Sequence, residues 1–469
     1  MVPLADTFNL NFWGESLAAD PPSFRPLATL SFALDQRLFG TSALAFHVSS
    51  LLWYIGLVLV GWLFARRCMP PRAALLAMAL FVVMPVHVEN VSSLVGRADT
   101  IAVLLSLLAL LAVSPGFVEG KSPTVWRLAL AALAFSGALL CKESVAVLPV
   151  IAALFVEYRR RRSAVKLSVF RAHLSSLTLL ACLGIYLVLR LRLQPRTFAY
   201  TADDDVLVGA GLWETAGYGL ELLARYTRMV VAPTALCTGR KYAEVYRPAQ
   251  LSLPMLAGVC LVAFVAFASW RDGRKGGLPF VLAAFLAWLL VTGMFFAVPE
   301  SMADRFLLLP SLFLSYSLGP VLLSFWNGGR VHRASLLIAL GSQAVLSSRQ
   351  AQTWHDEGSL WAHATLVCPD SAHNHFRYAE YLSERGQSAE AVWHYAAFTM
   401  ARHAFPYAWS DPATEEERSM PAEQRLHEMH RLLQVGLEER QWRSRFASFL
   451  RSLGRGREAT LVVETGPRN

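Results

Sequence analysis

The hydrophobic pattern of this chain consists of long apolar stretches separated by short polar links. A helix needs about 20 apolar residues to cross a bilayer, within a usual range of about 17 to 25. About ten stretches approach this length, at 43–64, 73–90, 98–114, 126–140, 144–158, 172–190, 252–270, 278–298, 305–325 and 333–350. The pattern therefore predicts an all-α fold, a polytopic membrane helix bundle.

Two regions of this pattern need a separate interpretation. Stretches 126–140 and 144–158 are short, and Cys141-Lys142-Glu143 stands between them. One long helix is an alternative, but a tight turn between two helices suits the adjacent charges better. Segment 213–233 is apolar but carries glutamates and arginines, so we expect an interfacial or re-entrant helix rather than a span.

Composition supports the membrane assignment and separates three regions. Hydrophobic residues make up 55% of the 469 residues and charged residues only 16%, whereas a soluble domain usually carries about 25% charge. Residues 351–469 are much richer in Glu, Arg, His and Gln than the rest. We expect an N-terminal loop outside the membrane at 1–42, a membrane domain at 43–350 and a soluble tail at 351–469.

Basic residues cluster directly beside the apolar stretches, at Arg66-Arg67, Arg159 to Arg162, Arg271/Arg274/Lys275 and Arg330/Arg333. This positive-inside pattern explains the net charge of +9 without a nucleic-acid partner. With these clusters in the cytoplasm every span alternates in direction, provided that 213–233 does not cross. Residues 1–42 and the tail then lie outside. The bias of arginine over lysine favours a bacterial inner membrane, with the endoplasmic reticulum membrane as the alternative.

The N-terminal region does not fit this topology by itself. Residues 1–42 are polar and contain no signal peptide, although the charge rule places them outside. We therefore expect that a preceding helix is missing from the sequence. With it the membrane domain would have about eleven helices.

The same topology collects the unusual polar residues on the outer side. They are the carboxylates Glu89, Asp99, Glu143 and Asp304, the cations Arg25, Arg97, Lys142 and Arg305, and His87. Ionisable groups near membrane depth are costly and mark functional sites by default. Carboxylates suit general-base work on a hydroxyl, and guanidinium groups suit a phosphate leaving group. A lipid-linked phosphosugar would need both at the membrane surface.

Simpler roles stay open for several of these residues. Arg97 with Asp99, and Lys142 with Glu143, are also explained as local salt bridges. His87 is equally explained as a helix cap or a partner of a carbonyl. The acidic run 203–205 is typical of a solvated loop.

The cysteines give no sign of a framework. They lie scattered at Cys68, Cys141, Cys182, Cys237, Cys260 and Cys368, without disulfide or zinc spacing. We expect them to be small buried apolar side chains. The sequence likewise predicts no metal site, because His87 and Glu89 lack the two-histidine spacing of zinc helices; whether a divalent metal is needed stays open.

The tail has a pattern of small and aromatic residues that is typical of helical repeats. Phe376, Tyr378-Ala379, Leu382, Gly386 and Glu390-Ala391 follow a helix-turn-helix repeat of about 34 residues. A weaker copy begins at Trp442. Since stable arrays need about three repeats, we expect the pair to dock on the membrane domain. It serves either to capture an acceptor polypeptide or only as a packing appendage.

An ordered set of motifs resembles a known family. Phe12-Trp13-Gly14, Phe24-Arg25-Pro26-Leu27 and Phe46-His47 resemble its F-W-G, Y-R-P-L and F-H elements. The family's H-P-x-H-x-E and G-R-A-D run is resembled by Pro85-Val86-His87-Val88-Glu89 and Gly96-Arg97-Ala98-Asp99. Its C-K-E is matched by Cys141-Lys142-Glu143, and its E-R-Y is resembled by Asp304-Arg305-Phe306. Over almost the whole chain, the set is similar to the transmembrane and tetratricopeptide-repeat O-mannosyltransferases, which are class C glycosyltransferases.

The resemblance implies an enzyme that transfers mannose, or a related hexose, from a polyprenyl-phosphate (dolichyl-type) donor to protein Ser or Thr hydroxyls, with inversion. It implies a class C bundle with a tetratricopeptide-like tail. Glu89, Asp99, His87 and Asp304 become the candidate catalytic residues, and Arg25, Arg97, Lys142, Glu143 and Arg305 the substrate-binding and phosphate-binding residues. Asn11, Met84 and Phe306 depart from the family's Asp, His and Tyr. The family's catalytic Asp, in an acidic pair after the first helix, is expected in the missing segment.

Two other functions are compatible with parts of the pattern. A non-enzymatic membrane scaffold would use the repeats to hold partners after losing its catalytic helix. A transporter would carry polar groups at mid-membrane depth and broken helices in paired halves. The charges here gather at one rim instead, and the apolar stretches show no internal repeat.

Overall fold

The computed structural model of this chain is mainly helical in the residues that it describes. These are 10–12, 14, 23–162, 168–194, 212–239, 252–271, 278–291, 302–369, 371–387, 390–391, 394 and 397. The helices are α1 Pro26–Phe39, α2 Ala43–Cys68, α3 Pro71–Val83, α4 Val88–Ser92, α5 Gly96–Val118, α6 Val125–Leu139, α7 Leu148–Arg162, α8 Val169–Leu193, α9 Leu212–Val231, α10 Leu253–Arg271, α11 Leu278–Val291, α12 Leu308–Asn327, α13 Arg330–Gln352, α14 Glu357–Val367 and α15 Ala372–Glu384. Short 3-10 helices lie at Pro85–His87, Glu143–Val145 and Asp304–Leu307.

The helix boundaries follow local signals in the sequence. Pro26 and Pro71 occupy the first turns of α1 and α3, where the missing N–H is not needed. Ser42 caps α2 by accepting a hydrogen bond from the Ala45 amide. Gly40 takes a positive φ of 64°, which lets the chain turn between α1 and α2. The region 1–42, expected as a loop, therefore contains a 14-residue helix.

Fewer helices than expected have the full length and apolarity of a span. Within the described part, Ala43–Cys68, Gly96–Val118, Val169–Leu193 and Asp304–Asn327 meet both requirements. Pro71–Val83 and Pro85–Ser92 together form a fifth candidate, bent by 62°. Each of the stretches predicted from hydropathy coincides with a helix, but several of these helices are shorter or more polar than the four.

Segment 213–233 forms an amphipathic helix, α9, as its charges indicate. Tyr218, Leu222, Tyr226 and Met229 recur at helical spacing and are buried together. They pack against residues of α3, α10, α11 and α12. The apolar face of α9 thus lies against the bundle.

The core of the bundle is built around α5, which is buried along most of its length. Phe64, Phe117, Phe155 and Tyr316 meet beside it with ring centroids 5.4–6.4 Å apart in contacting pairs. The Tyr316 hydroxyl donates to the Gly61 carbonyl at 2.9 Å, so its polar end is satisfied inside the apolar interior. This packing fixes α2, α7 and α12 around α5.

The short helix α4 packs against the start of α5 because Gly96 has no side chain. A Cβ atom at Gly96 would lie 2.6 Å from the Asn90 Cα and 2.8 Å from the Glu89 carbonyl oxygen. The close approach places Glu89 beside the first turn of α5.

Arg97 holds α1 and α2 against α5. Its Nε donates to Ser50 Oγ at 3.0 Å, and its terminal nitrogens donate to the Asp35 carboxylate and to the Phe46 carbonyl. The ring of Phe32 lies 4.2 Å from the guanidinium carbon. The side chain is completely buried, so these contacts account for its packing.

A disulfide joins the tail to the segment that follows α9. Cys237 and Cys368 are bonded, although 131 residues separate them in sequence. The expectation of unpaired apolar cysteines is therefore wrong for these two, because a bond over this distance leaves no local spacing to signal it. Cys68, Cys141, Cys182 and Cys260 are free thiols.

The described part of the tail begins with two helices, α14 and α15. Helix α15 ends at a turn in which Gly386 takes a positive φ of 73°. Ala379 and Leu382 of α15 are buried, as small and apolar repeat positions should be. The second copy, from Trp442, lies outside the described residues.

The contact at Gly96 leads to a first prediction. Gly96→Ala should lower the free energy of unfolding by about 1–3 kcal/mol, the usual range for overpacking, because the new methyl group collides with the α4 backbone. Thermal unfolding in detergent measures the loss. Gly184→Ala on α8 is the matched control, because a Cβ atom at Gly184 would have nothing within 4 Å. An unchanged melting temperature for Gly96→Ala would contradict this packing.

The buried guanidinium of Arg97 leads to a second prediction. Arg97→Ala leaves the Asp35 carboxylate buried and unpaired, which costs about 3–5 kcal/mol of stability. The variant should lose its folded yield, measured by size-exclusion chromatography and thermal unfolding. The exposed Arg192→Ala serves as control. A stable Arg97→Ala protein would show that the ion pair is not needed for the fold.

Candidate active site

The polar residues predicted for the site come together at one end of the bundle. We call this the site end. It is defined by seven charged residues, each of which forms at least one ion pair with another of the set: Arg25, Glu89, Asp99, Lys142, Glu143, Arg190 and Arg305. At the other end Arg67, just before the end of α2, lies 3.8 Å from Glu119, just after α5. The arginine-rich link after α2 and the site residues therefore lie at opposite ends of the helices.

The link between α6 and α7 is a tight turn, as the sequence predicts, and it sends its two charges to different partners. Lys142 has an extended backbone and Glu143 starts a 3-10 helix, so their side chains diverge. Lys142 Nζ donates to the Asp99 carboxylate at 2.5 Å. Glu143 accepts a hydrogen bond from Arg25 at 3.0 Å and lies 3.4 Å from Arg190. The alternative of a salt bridge between Lys142 and Glu143 is therefore wrong.

The other local pair, Arg97 with Asp99, does not form either. Residues two positions apart on a helix do not face each other. Arg97 therefore points to Asp35 and Asp99 to Lys142. Because the Arg97 side chain is completely buried among α1, α2 and α5, we assign it to helix packing and no longer to phosphate contact.

Glu89 and Arg305 form the second side of the site end. An Arg305 terminal nitrogen donates to Glu89 Oε1 at 2.5 Å, and the Arg305 amide donates to Oε2 at 3.0 Å. Asn90 Nδ2 donates to the Arg305 carbonyl at 3.2 Å. Both the backbone and the side chain of Arg305 are thus held on α4.

The ring of Phe306 lies between the two groups of ion pairs. It is 4.8 Å from Lys142 Nζ and 5.2 Å from Arg305 Cζ. Burial lowers the pKa of Lys142; Asp99 opposes this shift, while Arg25 and Arg305 add to it. The charges of the site end therefore act on one another as a single network.

Glu143 is the most accessible carboxylate of this network. Its side chain is 40% exposed, against 3% for Glu89 and 4% for Asp99. Enclosure raises the pKa of Glu143, but the charges of Arg25 and Arg190 outweigh this and hold the pKa well below its ordinary value. The carboxylate is therefore ionised at neutral pH.

His87 connects three helical elements through hydrogen bonds to both ring nitrogens. His87 Nε2 lies 2.8 Å from Ser311 Oγ, and Nδ1 lies 3.2 Å from the Tyr54 hydroxyl, both within hydrogen-bond distance. Ser311 Oγ also donates to the Leu308 carbonyl at 3.2 Å. His87 thus has a positioning geometry, between α2, α4 and α12.

Asp304 opens the turn that carries Arg305. It is buried, and the preceding Ala303 amide donates to the Tyr226 hydroxyl of α9 at 3.2 Å. The turn is therefore held by α4 on one side and by α9 on the other. The acidic run 203–205 lies outside the described residues.

No set of three or more potential metal-ligand side chains occurs among the residues with described positions. The carboxylates of the site end contact cations from other elements instead, with Arg25 on Glu143 as an example.

Several residues of the site escaped the sequence analysis. Arg190 is buried and also donates to the Tyr186 hydroxyl at 2.8 Å, but at the end of an apolar stretch it looked like a flanking charge. Asp35 lies in a region predicted as loop. Tyr54 and Ser311 are single polar groups inside apolar stretches, and only the fold shows that they face His87.

Comparison with known proteins finds similarity to one group of glycosyltransferases. Residues 20–189 match the family described as dolichyl-phosphate-mannose-protein mannosyltransferase. Human protein O-mannosyl-transferase TMTC4 is 28% identical over 455 residues, which cover 84% of this chain and 60% of that protein. Human TMTC1 is 26% identical over 459 residues, 85% of this chain and 50% of that protein. Drosophila melanogaster Tmtc1 is 36% identical over 145 residues, 30% of this chain and 16% of that protein.

No solved structure matches the chain significantly. The chain spans somewhat more than half the length of the first curated relatives that it matches. The family match includes Arg25, Glu89, Asp99, Lys142 and Glu143. The chain is thus similar over most of its length to protein O-mannosyl-transferases, and its first part matches the mannosyltransferase family model.

Proposed function

We propose that this protein is a membrane glycosyltransferase that moves mannose, or a related hexose, from a polyprenyl-phosphate donor to Ser or Thr hydroxyls of a polypeptide. The observation that carries the proposal is the convergence of four cations and three carboxylates at one end of an apolar bundle. The cations are Arg25, Lys142, Arg190 and Arg305, and the carboxylates are Glu89, Asp99 and Glu143. The names of the curated relatives support the same chemistry.

The proposed reaction needs two kinds of group. The acceptor hydroxyl attacks the anomeric carbon and loses its proton to a carboxylate, while the bond from that carbon to the phosphate oxygen breaks. The bonding electrons leave with the phosphate, whose growing charge is stabilised by cations. Attack from the side opposite the leaving group inverts the anomeric carbon.

The cations of the site end are proposed to bind the donor phosphate. Arg25 and Arg190 approach Glu143 together, and guanidinium groups suit phosphate oxygens. Lys142 and Arg305 complete the set, each held by a carboxylate. In this assignment Asp99 and Glu89 keep these two cations in position rather than touching the sugar.

Glu143 is the carboxylate best placed to meet a ligand, because it is the most exposed of the site. Its low pKa makes it a weak base while Arg25 and Arg190 lie beside it. A donor phosphate that binds these arginines would weaken their effect and raise the pKa of Glu143. The carboxylate would thus become a stronger base only after the donor has bound.

His87 and Asp304 are proposed as positioning residues. His87 ties α4 to α12 through Ser311, and Asp304 begins the turn that carries Arg305.

We place the site end on the non-cytoplasmic side of the membrane. Two observations support this orientation. The arginine-rich link after α2 lies at the opposite end, as the positive-inside rule requires. The disulfide between Cys237 and Cys368 suits an oxidising compartment such as a periplasm or lumen. A bacterial inner membrane is favoured by the arginine bias, with the endoplasmic reticulum membrane as the alternative.

The partners follow from this placement. The donor reaches the site end from the lipid phase, and the acceptor polypeptide arrives from the aqueous side, where the tail is docked. We propose that the tail contributes to holding this polypeptide. We also propose that the chain divides into an N-terminal region at 1–42, a membrane domain at 43–350 and a tail at 351–469.

Arg25→Ala tests the site assignment. In protein reconstituted into lipid nanodiscs, transfer of labelled mannose from polyprenyl-phosphate mannose to a Ser/Thr-rich peptide should fall about 10²-fold or more, as for removal of one donor to a developing oxyanion. The reason is the loss of a phosphate contact. The partial exposure of Arg25 makes loss of the fold a lesser concern than at Arg97.

Arg37→Ala is the matched control, because Arg37 lies on the same helix α1 and is exposed. It should keep the native rate. Full activity of a folded Arg25→Ala protein would overturn the phosphate assignment. Absence of transfer by the native protein with any hexosyl polyprenyl phosphate would overturn the proposed function itself.

A further inference from the structure

We propose that the Cys237–Cys368 disulfide and its neighbouring hydrogen bonds form a latch, which holds the tail against the segment after α9 and thereby positions the turn Asp304–Leu307 of the site. The latch is defined by the disulfide and by the contacts of His363 and Ser371 described next. The effect of the latch on donor binding rests on the proposed function, whereas its effect on the position of the turn does not.

Two hydrogen bonds flank the disulfide on the tail side. His363 Nε2 of α14 donates to the Leu236 carbonyl at 3.0 Å. Ser371 Oγ, at the start of α15, donates to the Gly239 carbonyl at 2.9 Å. Both tail helices therefore hold the same short segment, 236–239, on either side of the bonded Cys237.

The missing side chain of Gly239 allows α15 to pack closely against segment 236–239. Gly239 takes a positive φ of 65°, which disfavours other residues. A Cβ atom here would collide with Asn374 Oδ1 and lie 2.8 Å from His373 Cδ2. The tail thus fits the segment closely as well as being bonded to it.

On its other side, segment 236–239 reaches the site through an apolar cluster. Leu236 is only 2% exposed and belongs to the same buried cluster as Tyr226, Met302 and Leu307. The Tyr226 hydroxyl accepts a hydrogen bond from the Ala303 amide at the start of the turn Asp304–Leu307. A continuous set of packed groups therefore leads from the latch to the turn.

The turn is where the latch would affect the chemistry. Glu89 on α4 holds Arg305 in two ways, because it accepts a hydrogen bond from the Arg305 side chain and another from the Arg305 backbone amide. If the latch opens, Leu236 and α9 lose one of their restraints, and α9 then holds the turn less firmly through Tyr226. We therefore assign Cys237 and Cys368 as positioning residues, which act on Arg305 through α9.

The chemistry of the latch is an ordinary thiol–disulfide exchange. Closing it joins the two thiols, which lose two protons and two electrons to a thiol oxidant, a disulfide-bearing oxidoreductase that becomes a dithiol. A small dithiol reverses the reaction: it gives up two protons and two electrons, becomes a cyclic disulfide and leaves both cysteines as thiols.

A first test measures structure without catalysis. The full-length protein in nanodiscs is mapped under non-reducing conditions, and its amide hydrogen exchange is followed before and after treatment with a small dithiol. We expect a peptide pair linked through Cys237 and Cys368, and exchange at 302–307 that speeds up about tenfold on reduction, within the usual range for coupled sites. Free thiols at both positions, or unchanged exchange at 302–307, would overturn the latch.

A second test uses variants and a ligand. Cys237→Ser with Cys368→Ser should weaken binding of polyprenyl phosphate about tenfold, because Arg305 is displaced. Cys260→Ser, which removes an exposed free thiol on α10, is the matched control and should bind normally. Unchanged affinity in the double variant would show that the bond only ties down the tail, which refutes its positioning role.

The two tests also separate this inference from the proposed function. A native protein that does not bind polyprenyl phosphate contradicts the proposed function, but the exchange experiment still decides whether the latch positions the turn. Dithiol treatment of the folded native protein covers the case in which the double variant fails to fold.

Discussion

A charged side chain inside an apolar bundle must find an opposite charge, and this requirement organises the site end. Lys142 takes Asp99, and Glu143 takes Arg25 and Arg190, so one turn between α6 and α7 is joined to α5, α1 and α8. Removing the partner of a buried charge is strongly destabilising. The ion pairs that build the site therefore also fix the ends of the helices that carry it.

Stability alone does not explain why such pairs are present. Desolvation offsets most of the attraction between buried ions, and well-packed apolar residues often serve as well. Arg97 and Arg25 show the difference between the two uses of charge. Arg97 is completely enclosed by its acceptors, as a packing group should be, whereas the Arg25 side chain is 14% exposed beside a carboxylate that is 40% exposed. The second arrangement leaves room for a ligand.

The sequence predicted the helices, the turn at Cys141-Lys142-Glu143 and the gathering of charges at one end, because all three depend on order along the chain. It could not predict which charges pair. Arg25 and Glu143 are 118 residues apart in sequence. The alternating topology puts all of the carboxylates and cations on one side, so it does not say which carboxylate pairs with which cation. Asp35 and Arg190 were missed for the same reason, since a buried partner and a surface charge look alike in one dimension. Only packing distinguishes them.

The disulfide constrains the topology in a way that hydropathy does not. Cys237 and Cys368 can bond only in one compartment, so the chain between them must cross the membrane an even number of times. In the described residues helices α10 to α14 lie between them, and four crossings, by α10, α11, α12 and α13, would satisfy the rule. Helix α13 is the most polar of these, yet if it alone failed to cross, the count would be odd and the two cysteines would be separated. If α10, α11 and α12 all cross the membrane, the bond therefore requires α13 to cross as well, with its arginine-rich start on the side opposite the site.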